Sequence, residues 1–401
     1  LIRALGAHLL LLALPLAGLL AGAELAVRAT GAAESCPSAF SETDLWVCDP
    51  ILHFRANPRL RPNDQPLNSA GFRGPEFGPK RPSVYRVLAL GDSCTFGVIA
   101  HEALGFVAQP YPLRLERLVE RRNGSGRVEV LNAGSPGYNS FQGLLLLRSR
   151  LRGLDPDLVT VRFGWNDHFL SPLGEASALR EPDSALALAL EDWLLRSRLY
   201  AFVRRLGLEL RALREPPRDA RAAWRGTRGW RPTIPIEDYA RNLRRIVELA
   251  RERGAEAWLL TAPHNPDPNP SAARELAARN RTSFRHLLQV HEAYGEALRR
   301  VGRETGALVV DMEAVYRRHA GEPVFLPTDA VHPSQGGHNL EAETLYAALV
   351  RRGVIAAGSD PGSSRPRSRR GPSHARGARA REAEVKRGAA GVTLPRRGWR
   401  R

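Results

Sequence analysis

Ser93 stands three residues beyond the apolar run Val87-Leu88-Ala89-Leu90, at a position where a side chain could do chemistry. A serine hydroxyl is a weak nucleophile until a neighbouring base takes its proton. Gly91 permits a sharp turn that lifts Ser93 out of a strand, and a helix starting there aims its first backbone N–H groups at the same place. Gly91-Asp92-Ser93 is also an ordinary turn sequence, so alone it does not single out catalysis. The base should be a histidine placed by a carboxylate. Asp329 and His332 are separated by two residues, close enough for the carboxylate to accept from one ring nitrogen while the other faces Ser93. His168, His264 and His338 have no Asp three residues upstream. His264 reads as lining a pocket and His338 as a helix residue with a structural hydrogen bond.

Two rivals are weaker. Ser135 in Ala133-Gly134-Ser135-Pro136-Gly137 imitates the small-x-Ser-x-Gly nucleophile turn of a different fold, whose oxyanion donor is the N–H after the nucleophile. Here that residue is Pro136, which has none. Cys94 reads as a small buried residue.

These residues need a scaffold. Tyr85 to Leu90, Val128 to Leu131, Leu158 to Phe163, Ala257 to Leu260 and Ala307 to Val310 are short apolar runs suited to strands buried on both faces. Between them lie segments of helical period. In the clearest, Tyr239, Leu243, Ile246, Val247 and Ala250 share one face, and Gly254 is placed to end the helix. Repeated strand-helix-strand units imply an α/β fold, a parallel sheet with right-handed crossovers and helices on both sides. The ligand cleft of such a sheet opens beyond the carboxyl ends of its strands, where Ser93, Gly137, Asn166 and His264 all fall. Residues 169–235 exceed a usual connection. Their middle, about Ala185 to Leu213, reads as one or two helices: a cap shaping the acyl or alcohol pocket, a helix on the sheet edge, or a basic amphipathic face lying on a membrane.

Gly91-Asp92-Ser93, Asn132 to Gly137, Gly164-Trp165-Asn166-Asp167 and Asp329-Ala330-Val331-His332 stand in an order that resembles the SGNH subgroup of the GDSL hydrolases. The resemblance spans roughly Asn68 to Arg352, and Asn68 to Gly74 is similar to the entry of anchored bacterial SGNH domains. It implies a flavodoxin-like three-layer αβα sandwich around a parallel five-stranded sheet, with 169–235 as a helical insertion. It further implies acyl transfer through a Ser93-His332-Asp329 triad without metal or organic cofactor. The oxyanion donors it points to are the backbone N–H groups of Ser93 and Gly137 and the side-chain amide of Asn166. Gly134 fits less well than Gly137, because the family pattern Asn-x-x-x-x-Gly runs from Asn132 to Gly137; Asp167 is structural. The substrate class is a small-molecule, lipid or carbohydrate ester. Transfer of the acyl group to a sugar hydroxyl, or a non-catalytic carbohydrate-binding role, are the alternatives.

The chain has 401 residues and 43% hydrophobic content, enough for a folded core. Its formal charge of +17 points at first to nucleic acid, but thirteen Lys plus Arg against three acids lie between Gly358 and Arg401. About ten of the seventeen charges therefore sit in a Gly/Pro/Ser-rich tail, which reads as a solvated extension and argues against a nucleic-acid partner. At the other end, Ala4 to Ala23 runs without a formal charge, long enough to span a membrane. Ala21-Gly22-Ala23 also has the form of a signal cleavage site; an uncleaved anchor is the preferred reading because the helical pattern continues through Arg28. Either reading places the rest outside the cytoplasm. The expected organisation is therefore a membrane segment at 1–28, an irregular arm at 29–80, a hydrolase domain at 81–357 and the tail at 358–401. Cys36 and Cys48 are candidates for a bridge in such a compartment.

Overall fold

The computed structural model describes residues 2–32, 45–49, 51–100, 104–149, 153–172, 184–214 and 230–358. Cys36, the Cys48 side chain, the tail beyond Gly358 and parts of the insertion lie outside the described residues. Five strands, β1 (Tyr85–Gly91), β2 (Val128–Gly134), β3 (Leu158–Arg162), β4 (Glu256–Leu260) and β5 (Leu308–Val310), form one sheet in the order β5-β4-β3-β1-β2. Every pairing in it is parallel. The register sets Gly91 beside both Gly134 and Arg162, so the ends of three strands meet at one edge.

The helices are α1 (Ile2–Thr30), α2 (Ser93–Phe96), α3 (Tyr111–Asn123), α4 (Ser140–Ser149), α5 (Trp165–His168), α6 (Ala185–Leu194), α7 (Arg198–Arg214), α8 (Ile236–Glu252), α9 (Pro270–Arg279), α10 (Phe284–Thr305), α11 (Met312–Arg318) and α12 (Gln335–Arg351). The alternation of β1 sends Leu88 and Leu90 to one face, where they pack with residues of α4, α8 and α10. Val87 and Ala89 point to the other, among residues of α3 and α12. The result is the expected three-layer αβα sandwich with helices on both faces of a parallel five-stranded sheet. Each fully buried aliphatic side chain in these layers contributes about 1.5–3 kcal/mol. On α8 the predicted stripe Tyr239, Leu243, Ile246, Val247 and Ala250 is at most 1% exposed. Gly254, at φ +78°, closes that helix: its N–H donates to Arg251 O, and the Ala255 N–H reaches Ala250 O.

One region departs from the sequence reading, and a second adds to it. The arm expected to be irregular carries a hairpin, Trp46–Asp49 antiparallel to His53–Ala56. Strands of four residues are too short to show an alternation, and this pair is held by tertiary contacts described below. The insertion holds α6 and α7 as anticipated, and its base is closed by a short antiparallel pair, Leu170–Pro172 with Trp230–Pro232.

Candidate active site

The β1 strand ends at Gly91 and the chain turns at once into α2, a single helical turn. Asp92 caps it: its Oδ1 accepts from the Cys94 N–H at 2.9 Å. Gly91 is required by close approach, because a Cβ there would lie 2.1 Å from Thr95 Oγ1. The turn closes at Gly97, whose N–H donates to Ser93 O at 2.8 Å in a left-handed conformation (φ +89°). Arg73 of the arm, buried against the rings of Phe96 and Phe106, donates to the carbonyls of Phe96 and Gly97 at 2.9 and 3.1 Å. The cation thus braces the carboxyl end of the turn that carries Ser93.

Ser93 Oγ lies 2.9 Å from Nε2 of His332, a residue 239 positions away, and His332 Nδ1 lies 2.9 Å from Asp329 Oδ2. The carboxylate can only accept, so Nδ1 carries the proton and Nε2 is left to accept from the Ser93 hydroxyl. Asp329 Oδ1 takes the backbone N–H groups of Val331 and His332 at 2.8 and 2.9 Å. Burial alone would raise the Asp329 pKa. The His332 hydrogen bond and these N–H donors outweigh it and hold the carboxyl below its ordinary value. Asn265 fixes the loop from outside, donating its amide to the carbonyls of Asp329 and Leu326 at 3.1 and 3.2 Å. The pair sits in the loop before α12, whose first turn is capped by Ser334.

Ser135-Pro136-Gly137-Tyr138 forms a β-turn closed by the Tyr138 N–H on Ser135 O, with φ +81° at Gly137. Proline second and glycine third is the sequence a type II turn demands. Asn166, at the start of α5, donates its side-chain amide to Tyr138 O at 2.9 Å, which holds its second amide hydrogen beside this turn. Among the described residues no acceptor takes the backbone N–H of Ser93 or Gly137. Gly134 differs, because its N–H donates to Asn132 Oδ1 at 3.1 Å. Ser135 Oγ is buried and has no hydrogen-bond partner among the described residues.

The arm hairpin covers the same turn. Trp46 Nε1 donates to Pro136 O at 2.8 Å and the Tyr138 hydroxyl donates to Phe54 O at 3.0 Å. The Phe54 ring packs edge-on against both Trp46 and Tyr138, at centroid distances of 5.9 and 5.6 Å. Asn139 and Gln142 exchange reciprocal bonds at the start of α4, and Gln142 reaches back to Leu52 O at 2.9 Å. No local signal links residues 46–54 to residues 136–142, so the sequence reading missed Trp46, Phe54 and Tyr138.

Behind Ser93 lies a buried polar layer. Arg162 Nη1 is 2.9 Å from Glu341, both at most 1% exposed, and Tyr316 OH donates to Glu341 at 2.8 Å. Burial pushes the Asp92 carboxyl up, and Arg162 only partly opposes this. His338 accepts from the Tyr111 N–H at 3.1 Å, the structural role expected of it. Asp167 accepts from Ser140 N at 2.9 Å, and burial pushes its pKa up to about 7. His168 donates to or accepts from His291 at 2.9 Å, and burial holds its pKa down to about 3. His264 is half-buried, edge-on to His291. Cys94 is a free, buried thiol pushed up by burial. Among the described residues no cluster of three or more His, Cys, Asp or Glu side chains is arranged as a metal site. A cavity of about 1100 Å³ borders Gly134 and Ser135, is lined also by Arg28, Asn68, Tyr138, Arg196 and Arg198, and does not include Ser93 or His332.

At the carboxyl edge of this parallel α/β sandwich a hydroxyl, an imidazole and a carboxylate stand in line. The description of the GDSL-like lipase/acylhydrolase family matches residues 89–340, and the chain belongs to that family. No curated protein matches the chain. Among solved structures it is similar to a lipase/acylhydrolase from Enterococcus faecalis (18% identity, 69% of this chain and 99% of that one, TM-score 0.42). It is also similar to LAE5, an alpha/beta hydrolase from the Lake Arreo metagenome (22% identity, 66% and 94%, TM-score 0.39). A third is a mutant of Axe2, an acetylxylan esterase from Geobacillus stearothermophilus (17% identity, 67% and 93%, TM-score 0.38).

Proposed function

We propose that the chain is a serine esterase that works through an acyl-enzyme on Ser93. The observation that carries this reading is the continuous line from Ser93 Oγ to His332 Nε2, and from His332 Nδ1 to Asp329, at 2.9 Å for each step. His332 takes the hydroxyl proton as Ser93 attacks the ester carbonyl, and Asp329 stabilises the imidazolium that forms. The N–H groups of Ser93 and Gly137 and the amide of Asn166 receive the oxyanion. His332 then passes its proton to the leaving alcohol, and water repeats the sequence to release the acid. No cofactor enters this scheme.

The substrate is an ester of a small molecule, lipid or carbohydrate. The catalytic domain is held outside the cytoplasm by α1, which is long and apolar enough to cross a membrane. Purified protein is expected to hydrolyse a short p-nitrophenyl ester and to take a fluorophosphonate label on Ser93. Unchanged turnover in Ser93→Ala would exclude this mechanism.

A further inference from the structure

Helix α6 presents Leu186, Leu190 and Trp193 to solvent at 82, 53 and 64% exposure. Their spacing of four and three residues puts all three on one face. Glu191 lies on the opposite face and is tied to the body of the domain by Arg148 at 3.3 Å, itself 2% exposed. The charged side of α6 therefore faces the domain, and among the described residues Leu186, Leu190 and Trp193 stay exposed on its apolar side. An apolar stripe at helical spacing, turned outward on a helix pinned from behind, needs an occupant.

The junction with α1 identifies it. Glu24 is the first charged residue after the uncharged run Ala4 to Ala23. Its carboxylate caps α7, accepting from the Leu199 N–H and the Ser197 hydroxyl at 2.7 Å and from the Arg198 N–H at 3.0 Å. One helical turn on, Val27 packs against Ala201, with Leu199 and Phe202 beside them. The start of α7 is thus fastened to the point where α1 would leave the hydrocarbon. Only Leu195, Arg196 and Ser197 separate α6 from that point. Ten helical residues extend about 15 Å, so the whole of α6 stays close to the membrane border.

The junction carries an excess of positive charge, although Glu24 itself is paired with Arg28 at 2.7 Å. Arg28, Arg196 and Arg198 line the neighbouring cavity, and α7 carries five arginines against one glutamate. An apolar stripe containing a tryptophan, next to a basic helix, is the composition of an interfacial helix on an anionic bilayer.

We propose that α6 lies in the surface of the bilayer that α1 crosses, with Leu186, Leu190 and Trp193 among the lipids and the arginines of the junction at the level of anionic headgroups. This rests on α1 being a membrane anchor. Two attachments, a span and an interfacial helix, hold the catalytic domain in one orientation where a lone span would let it swivel.

The test uses the full chain with Cys36→Ser and Cys48→Ser, reconstituted in vesicles of phosphatidylcholine with phosphatidylglycerol. An environment-sensitive fluorophore is placed at Leu186→Cys, Leu190→Cys or, as an exposed control on α10, Glu304→Cys. Fluorophosphonate labelling of Ser93 reports that each variant is folded. The expected result is blue-shifted emission and quenching by nitroxide lipid at positions 186 and 190, and neither at 304. Protein that floats with the vesicles but shows water-like emission at 186 and 190 would overturn the interfacial helix and leave the anchor standing. Self-quenching between labels at 190, without quenching by lipid, would assign the stripe to a second copy of the chain. Failure to float with vesicles would remove the anchor and this inference together.

Discussion

Replacing Gly137 by alanine tests the oxyanion assignment most directly. Gly137 holds φ +81°, a left-handed conformation that costs an alanine about 1–2 kcal/mol. A Cβ built there lies 3.3 Å from the Phe54 ring and 3.4 Å from Trp46, so the aromatic wall must also give by a few tenths of an ångström. Relaxation rotates the Gly137 peptide or moves it away from Ser93. Loss of one oxyanion donor lowers kcat by about 10²–10³-fold, equivalent to about 2.7–4 kcal/mol. The expected outcome with p-nitrophenyl acetate is therefore a kcat about 10²-fold lower with little change in KM, and a lowered thermal midpoint from the backbone strain. Trp46→Phe separates the two effects, because it removes the indole N–H from Pro136 O while leaving Gly137 unchanged. It should lower kcat by a smaller factor without the strain. Gly137→Ala with an unchanged kcat and a lowered midpoint would refute the argument, since the turn would then serve stability alone.

Further outcomes follow from the same geometry. Asp329→Asn keeps an oxygen for the Val331 and His332 N–H groups and turns its NH₂ toward His332 Nδ1. That forces the proton onto Nε2, so kcat should fall about 10⁴-fold with the fold intact by circular dichroism. Asn166→Ala removes a side-chain donor and the bond to Tyr138 O; pre-steady-state kinetics should show slower acylation by about 10²-fold or more. Glu341→Ala leaves Arg162 buried and unpaired, and denaturant unfolding should record a loss of about 3–5 kcal/mol. Asp167 has a pKa raised from 3.8 to about 7 in the folded protein, so the native state holds a proton that the unfolded chain releases. Its contribution to stability is full below pH 3.8 and is lost as pH rises through about 7. Asp167→Asn should flatten the fall in unfolding free energy across that interval. An equally steep profile in the variant would assign the pH dependence to other groups.

The sheet and its helices were legible because their causes are local. Strands buried on both faces must be continuous apolar runs, and a helix packed on one side must repeat its apolar residues every three or four positions, as α8 does. The turn at Gly91-Asp92-Ser93 and the pair Asp329-His332 were legible for a related reason: a capping carboxylate and a close carboxylate–imidazole pair are short-range arrangements. What the sequence could not decide is everything carried by contacts across long stretches of chain. The meeting of Ser93 with His332 depends on parallel register at one sheet edge. The placement of Trp46 and Phe54 on the Gly137 turn, and of Arg73 beneath Ser93, depends on an arm whose strands are too short to show a period. The capping of α7 by Glu24 joins residues about 175 apart and ties the insertion to the end of α1. Sequence determined the elements and the chemical types available, because those follow from nearest neighbours along the backbone. Tertiary structure alone decided which groups share a site, because only packing brings distant residues within 3 Å.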